Sequence, residues 1–403
     1  MSNRFCIKPA MVILLIGAVA WPGKIWAFYE WQSEQAAIDM RGLVRSFASA
    51  NRYPDSSRSG IAGLARLMVD GGIGTAWSLE LNAYQSYIPK SLRAPQGNGY
   101  LSLSTERSAL LEHSFSNSDY LHLVIDRFAL RWSGQNLDLT IGRQAINLAT
   151  TFYFTPNDFF APFAAQTFYR LYKPGVDALR AEVSLGEFSQ LSLISVLGYK
   201  SDASSDTGWS NRPDSQRASN LLRWSNVYGS FEGALLLGRV VDKDIVGVAL
   251  QGELFEWLGI RLEGHHANLQ QRTVGDYRQF TLGLEHRWES SLELRLELFY
   301  NGAGTSTASH YQLGTAQYLA RRYSALGGSY DITPLLIGEM VLISNLDDRS
   351  HLLSLNSTYS LSDESEMVVN ANIPFGSEPD GSLPKSEFGA YPKSINAEFR
   401  FYF

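Results

Sequence analysis

Leu292-Glu293-Leu294-Arg295-Leu296-Glu297-Leu298 places leucine at every even position and a charge at every odd one. A strand's period of two puts all four leucines on one face and all three charges on the other. A helical period of 3.6 would scatter both sets around the axis. Neighbouring segments carry the same rhythm. Ile260, Leu262 and Gly264 alternate with Arg261, Glu263 and His265, and Leu282 and Leu284 alternate with Glu285 and Arg287. Val246, Val248, Leu250 and Leu254 alternate with Gly247, Ala249, Gln251 and Glu253, and Leu179, Ala181 and Val183 with Arg180, Glu182 and Ser184. In a soluble sandwich the apolar face would meet a core; in a transmembrane barrel it meets lipid.

The breaks between segments decide between these two. Tight turns are predicted at 70–72, 133–136, 186–188, 227–229, 255–257, 289–291, 331–334 and 362–364. Connections that are often longer fall between them, at 50–58, 88–119, 147–175, 200–217, 241–244, 269–276, 301–312, 345–349 and 374–393. Transmembrane barrels alternate short turns with long loops in this way. The segments between the breaks predict an all-β, antiparallel transmembrane barrel of about 18 strands, with 16 as the fallback. The count requires 317–330 to serve as one long strand.

Aromatic residues follow the strand ends. Trp132, Phe188, Tyr228, Phe255, Trp257, Trp288 and Tyr330 flank the tight turns, and Tyr84, Tyr153, Tyr199, Phe299 and Tyr300 lie near the other ends. Amphipathic rings favour the headgroup level, so both sets are expected in interfacial belts.

At the N-terminus, Arg4 and Lys8 precede an apolar run from Ala10 to Trp21, broken by Pro22 and Gly23 and followed by Ala27. The run is short for a bilayer span of about 20 residues. It has the layout of a secretory signal peptide over 1–27, leaving 28–403 as the barrel. Hydrophobic content of 45% together with a slightly negative mean hydropathy suits apolar residues spread along strands. Cys6 is the one cysteine and precedes the apolar run, so neither a disulfide framework nor a thiolate metal site is expected. Residues 1–27 hold Arg4, Lys8 and Lys24 and no acidic residue, so their removal takes the formal net charge from −6 to −9. That balance argues against nucleic acid as a partner.

The expected lumen face interleaves both signs: Asp39, Arg41, Arg45, Arg66, Arg180, Glu182, Glu253, Arg261, Glu263, Glu285, Arg287, Glu293, Arg295, Glu297, Glu398 and Arg400. Such a lining makes a polar conduit, and cross-strand pairing accounts for most of its members. The connection 147–175 contains Phe152, Tyr153, Phe154, Phe159, Phe160, Phe163, Phe168, Tyr169 and Tyr172, with Asp158, Arg170 and Lys173 among them. So aromatic a loop is costly to leave in water. It is expected to fold into the lumen and set a constriction, with Asp158, Arg170 and Lys173 presenting charge; packing across the mouth or against another subunit is the alternative. Arg180, Glu182, Arg261, Glu263, Arg287, Arg295 and Glu297 complete the candidate pore residues.

The last strand alternates Ile395, Ala397, Phe399, Phe401 and Phe403 with Asn396, Glu398, Arg400 and Tyr402. Phe399, Phe401 and Phe403 look like the terminal signal that barrel-assembly machinery reads in outer-membrane proteins. The stretches Ile125-Asp126-Arg127, 139–147, 156–163 and 173–180 resemble a block found in porin-like barrels related to the alginate-export group. The resemblance implies an outer-membrane channel. Polyuronate export would favour a lumen dense in arginine and lysine, whereas this one mixes signs.

These readings point to the outer membrane, with its lipids as surroundings, and to passive passage of small hydrophilic solutes. Export of an envelope polysaccharide and a sheath around a periplasmic electron-transfer partner remain alternatives; homo-oligomerisation stays open. No cofactor, metal or catalytic residue is expected. His113, Ser114, Ser116 and Asn117 only superficially match a lipase set, adjacent His265 and His266 point to opposite faces, and Asp347 and Asp348 fit a solvated turn better than a calcium site. Intact mass of the protein recovered from the outer-membrane fraction should begin at Phe28; a mature chain retaining Arg4 and Lys8 removes the signal assignment.

Overall fold

The structure, a computed structural model, describes residues 29–92, 105–115, 120–205, 207–269, 275–312, 316–381 and 383–403. The signal segment 1–27 lies outside the described residues. Eighteen antiparallel strands form one closed ring. In chain order they are β1 (Ala36–Arg52), β2 (Ser57–Ile73), β3 (Trp77–Ile88), β4 (Tyr120–Ser133), β5 (Leu137–Gln144) and β6 (Val176–Ser184). Next come β7 (Ser189–Val196), β8 (Ser219–Tyr228), β9 (Phe231–Val240), β10 (Lys243–Leu254), β11 (Leu258–Leu269) and β12 (Tyr277–Arg287). The last six are β13 (Glu293–Asn301), β14 (Arg322–Thr333), β15 (Leu336–Asn345), β16 (His351–Ser362), β17 (Ser365–Phe375) and β18 (Lys393–Tyr402). Each pairs with its neighbours in sequence, and β18 returns to β1 in the register Leu43↔Tyr402 to Arg52↔Lys393. Short strands Tyr29–Gln32 and Glu112–Ser114 add to β1 and β4.

Closure satisfies the backbone of every strand without leaving an edge. Side chains then sort by parity. On β13, Leu294, Leu296 and Leu298 are 41%, 39% and 48% exposed, whereas Glu297 between them is 2% exposed. The usual soluble pattern is inverted: apolar outside, charge inside. Among the described residues no helix is long and apolar enough to cross a membrane.

Most predicted turns coincide with hairpins. The first does not: 70–72 lies inside β2, where Asp70 pairs with Arg41, and the chain reverses at 74–76, one turn later. Gly71 and Gly72 read as turn residues, yet here they pack in a wall whose ladder continues past them. Likewise 317–330 is not one strand. β14 begins at Arg322, and 317–321 belongs to a loop that turns inward, with Ala320 fully buried. The tight-turn aromatics form the expected exposed belt, with Phe188, Tyr228, Phe255, Trp257, Trp288 and Tyr330 on the surface. At the other ends Tyr153, Tyr199 and Phe299 are buried instead, while Tyr300 faces out.

One irregularity reorients charge. β3 and β4 pair Asn82↔Arg127 and then Ala83↔Ile125, so Asp126 is an extra residue. A bulge breaks the alternation. Asp126 and Arg127, although adjacent, therefore both point into the lumen, where Asp126 accepts two bonds from Arg66 and Arg127 reaches Glu80.

At the seam, Gly42 leaves the space that the Phe403 ring occupies, and the two residues exchange backbone hydrogen bonds. Replacing Leu296 by arginine sets a guanidinium in mid-strand on the outer face. The cost should be roughly 2–4 kcal/mol in a bilayer, seen as a lower urea midpoint in lipid vesicles. An unchanged midpoint would refute a lipid-facing β13.

Candidate functional site

The segment 147–175 connects β5 to β6 and carries no ladder of its own, so its backbone needs other partners. Two inward glutamates supply them. Glu263 on β11 accepts the N–H groups of Thr150, Thr151 (3.0 Å) and Asn157 (3.0 Å). Glu297 on β13 accepts those of Phe152 (2.5 Å), Tyr153 (2.9 Å) and Phe154 (2.9 Å). Arg261 Nη1 donates to the Thr150 carbonyl at 2.9 Å, and Asn157 Nδ2 to the Val248 carbonyl at 2.9 Å. These partners are wall residues of β10, β11 and β13, so the loop lies inside the barrel.

Packing follows the same anchors. Phe154 stacks on Phe299 at 5.1 Å, and Gly327 on β14 leaves room for the Tyr153 ring. Phe160, Ile146 and Leu148 join the inward apolar residues of β6 to β11. Tyr311, Ala320 and Phe388, from the connections after β13 and β17, pack with Tyr153, Phe154 and Phe299 in a second cluster. Glu387 fastens that corner, accepting from Tyr323 at 2.5 Å and Asn345 at 2.8 Å, and burial pushes its carboxyl up to about 7.

From these anchors the loop reaches across the lumen. The Tyr169 ring lies 4.6 Å from the Arg45 guanidinium and 4.1 Å from that of Arg400, and Tyr172 lies 4.6 Å from Arg66. β2, which carries Arg66, and β11, which carries Glu263, are nine places apart on a ring of eighteen. The loop therefore spans a diameter.

Asp158 and Lys173 form a buried ion pair that ties the two arms of the loop together. Burial pushes the Asp158 carboxyl up and the Lys173 amine down, and the partner's charge opposes each shift. Arg170 is spent on the carbonyls of Phe152, Thr167 (2.7 Å) and Ala165 (3.1 Å) and stacks 4.3 Å from the Phe152 ring. All three cross-brace the loop: Asp158 and Lys173 neutralise each other, and the Arg170 guanidinium is held by loop carbonyls.

Wall charges are similarly paired. Arg261 and Arg295 both bind Glu285, at 2.8 and 3.2 Å, Arg295 also pairs with Glu293, and Arg180 with Glu182 at 2.7 Å. Arg295 lies 4.1 Å from the Phe152 ring, so β13 grips the loop by cation as well as by carboxylate. Arg287 stands apart, exposed at the tight-turn end of β12. Phe399, Phe401 and Phe403 line the far end of β18, the last two rings stacked at 6.2 Å.

Between the loop and the wall of β16, β17, β18 and β1 lies a gap of about 260 Å³. Phe168 and Tyr169 bound it on the loop side; Asn356, Asn370, Asn396 and Phe47 bound it on the wall. A search for charged alternation passes over these asparagines. Their signal in the sequence is neutral polar residues at every second position, as in Ser354, Asn356 and Thr358.

Other candidates resolve differently. Ser114 shares a 2.6 Å hydrogen bond with His122 rather than with His113, and Ser116 and Asn117 lie outside the described residues. His265 is buried facing Asn157, while His266 on the other face approaches Asp276 at 3.9 Å. Asp347 binds Arg322 and two backbone N–H groups, and Asp348 caps Ser350 and Glu387. Among the described residues no group of three metal-ligating side chains forms.

No protein-family model matches the chain, and no curated protein matches it. Solved structures do. OccAB3 of Acinetobacter baumannii superposes with a TM-score of 0.58 at 12% identity, covering 91% of this chain and 99% of that one. OccK11 (OpdR) of Pseudomonas aeruginosa gives 0.58 at 12% identity, over 91% and 96%. OpdK of Pseudomonas aeruginosa, solved with vanillate, gives 0.56 at 11% identity, over 91% and 98%. The shared fold is that of an 18-strand outer-membrane barrel. The alginate-export relation suggested by the block within 125–180 finds no support among these neighbours; in this chain that block forms the bulge, the lumen loop and its flanking strands.

Glu297→Ala orphans three buried N–H groups, at about 1–3 kcal/mol each. Hydrogen exchange at Phe152, Tyr153 and Phe154 should then accelerate well over tenfold. Exchange as slow as in the parent protein would show that Glu297 does not hold the loop.

Proposed function

We propose that this chain is an outer-membrane channel for small hydrophilic solutes, with the loop 147–175 as its constriction. The observation that carries the reading is a loop spanning the diameter of a barrel whose outer face is apolar. A wall of eighteen strands encloses more space than its own side chains fill. An inward segment then sets the bore. Glu263, Glu297, Arg261 and Arg295 fix its base, and Asp158, Lys173 and Arg170 fix its shape. Arg180, which pairs with Glu182, lines a second opening of about 300 Å³ nearer the tight-turn end, together with Asp70, Glu80 and Arg127. In this reading 1–27 is the export signal and the aromatic end of β18, with Phe399, Phe401 and Phe403, serves barrel insertion.

A polymer exporter or a sheath around a redox partner needs a clear lumen. A loop stacked on Arg45, Arg66 and Arg400 crosses that lumen and leaves small openings in place of a clear bore. The fold neighbours, among them OpdK with vanillate, fit the small-solute reading. The reading assigns no catalytic step to the chain.

Planar-bilayer recording tests the proposal. The purified protein should give discrete ion-conducting steps, and deletion of 152–170 should enlarge each step severalfold. Equal steps before and after deletion remove the loop from the constriction.

A further inference from the structure

We propose that the gap beside the loop selects neutral, polyhydroxylated solutes of monosaccharide size over anions. The proposal rests on the channel reading and names its solute class.

Charge in the gap is already committed. Arg45 donates to Glu398, and Arg400 donates to Glu398 at 2.8 Å and to Glu366 at 3.3 Å. The faces of both guanidinium groups are covered by the Tyr169 ring. An entering carboxylate would have to take these donors from wall carboxylates that are covalently fixed beside them. A neutral solute meets no such competition, and fixed opposite charges side by side give it a strong local dipole to orient in.

The remaining polar side chains are Gln166 and Thr167 on the loop and three asparagines on the wall. Asn370 Oδ1 accepts from Asn372 at 3.0 Å and from Asn396 at 3.3 Å, and Asn356 Nδ2 donates to Glu339 at 2.7 Å. An amide offers a donor and an acceptor together, as a hydroxyl does. A polyol can therefore exchange one hydrogen bond for the next along Asn356, Asn370 and Asn396 without leaving an amide unpaired. An anion can use only their donor side. Phe47, Phe168 and Tyr169 supply apolar faces for the C–H side of a sugar ring.

Size agrees. A volume of about 260 Å³ holds roughly nine waters at about 30 Å³ each, enough for one small sugar lying in the gap.

Proteoliposome swelling with glucose and with gluconate compares two solutes of equal carbon number that differ by one charge. Glucose should enter about tenfold faster, the ratio that 1.4 kcal/mol gives. Two variants locate the selectivity. Asn370→Leu with Asn396→Leu should bring the ratio toward one by slowing glucose. Glu398→Gln should release Arg45, leave Arg400 with Glu366 alone, and speed gluconate. Heat-modifiable migration on gels confirms that each variant is folded, and the parent comparison needs no variant. Gluconate entering as fast as glucose, or a ratio unmoved by both variants, overturns the proposal. Absence of ion conductance in the parent protein would sink the channel reading itself; conductance without glucose preference sinks only the solute class.

Discussion

An irregular backbone placed inside a barrel has no strand to pair with, so its buried N–H groups must find acceptors in the loop's own turns or in side chains. Glu263 and Glu297 provide such side chains, each gathering three N–H groups. A carboxylate is suited to this task because it accepts several bonds and donates none. Its burial would be prohibitive without them. Wall and loop are thus mutually dependent: the strands give the glutamates their inward direction, and the loop gives them partners. The candidate site exists only where both conditions meet.

The same logic extends to the cations. Arg66 with Asp126, Arg143 with Asp177, Arg45 with Glu398 and Arg261 with Glu285 neutralise one another within the wall. An interior rich in charge consequently carries little net charge at any one place. Its chemistry toward a solute comes from dipoles, amides and rings. Lumen composition and lumen character are different quantities, and the pairing geometry separates them.

The wall itself was legible from the order of residues, because a period of two is local information. Leu292 to Leu298 needs no partner to declare its faces, and the rhythm of short and long connections gave the strand count. Errors arose where a tertiary contact overrules a local signal. Gly71 and Gly72 suggest a turn, yet the ladder with β3 carries the strand beyond them. The stretch 317–321 has strand-like residues but is drawn inward by Glu387, which accepts the Leu319 N–H. The bulge at Asp126 leaves no trace in alternation, since it is defined by the register with β3. Arg170 and Lys173 could be named as loop charges, but whether such a charge faces water or its own loop depends on the fold around it. The asparagine face of β16, β17 and β18 was missed for another reason. Neutral amides do not stand out in a pattern sought through charge.

The glutamate anchors also bear on how the molecule is made. The Thr150 and Phe152 amides are separated from their acceptors by 113 and 145 residues of chain. Until β11 and β13 stand in the wall, the connecting segment between β5 and β6 has nowhere to lodge. Contacts of such high sequence separation form late, because a long loop has to close before they reward it. Seating the segment is therefore a late event, and a half-built cylinder is an open vessel that narrows only once β11 and β13 stand in the wall.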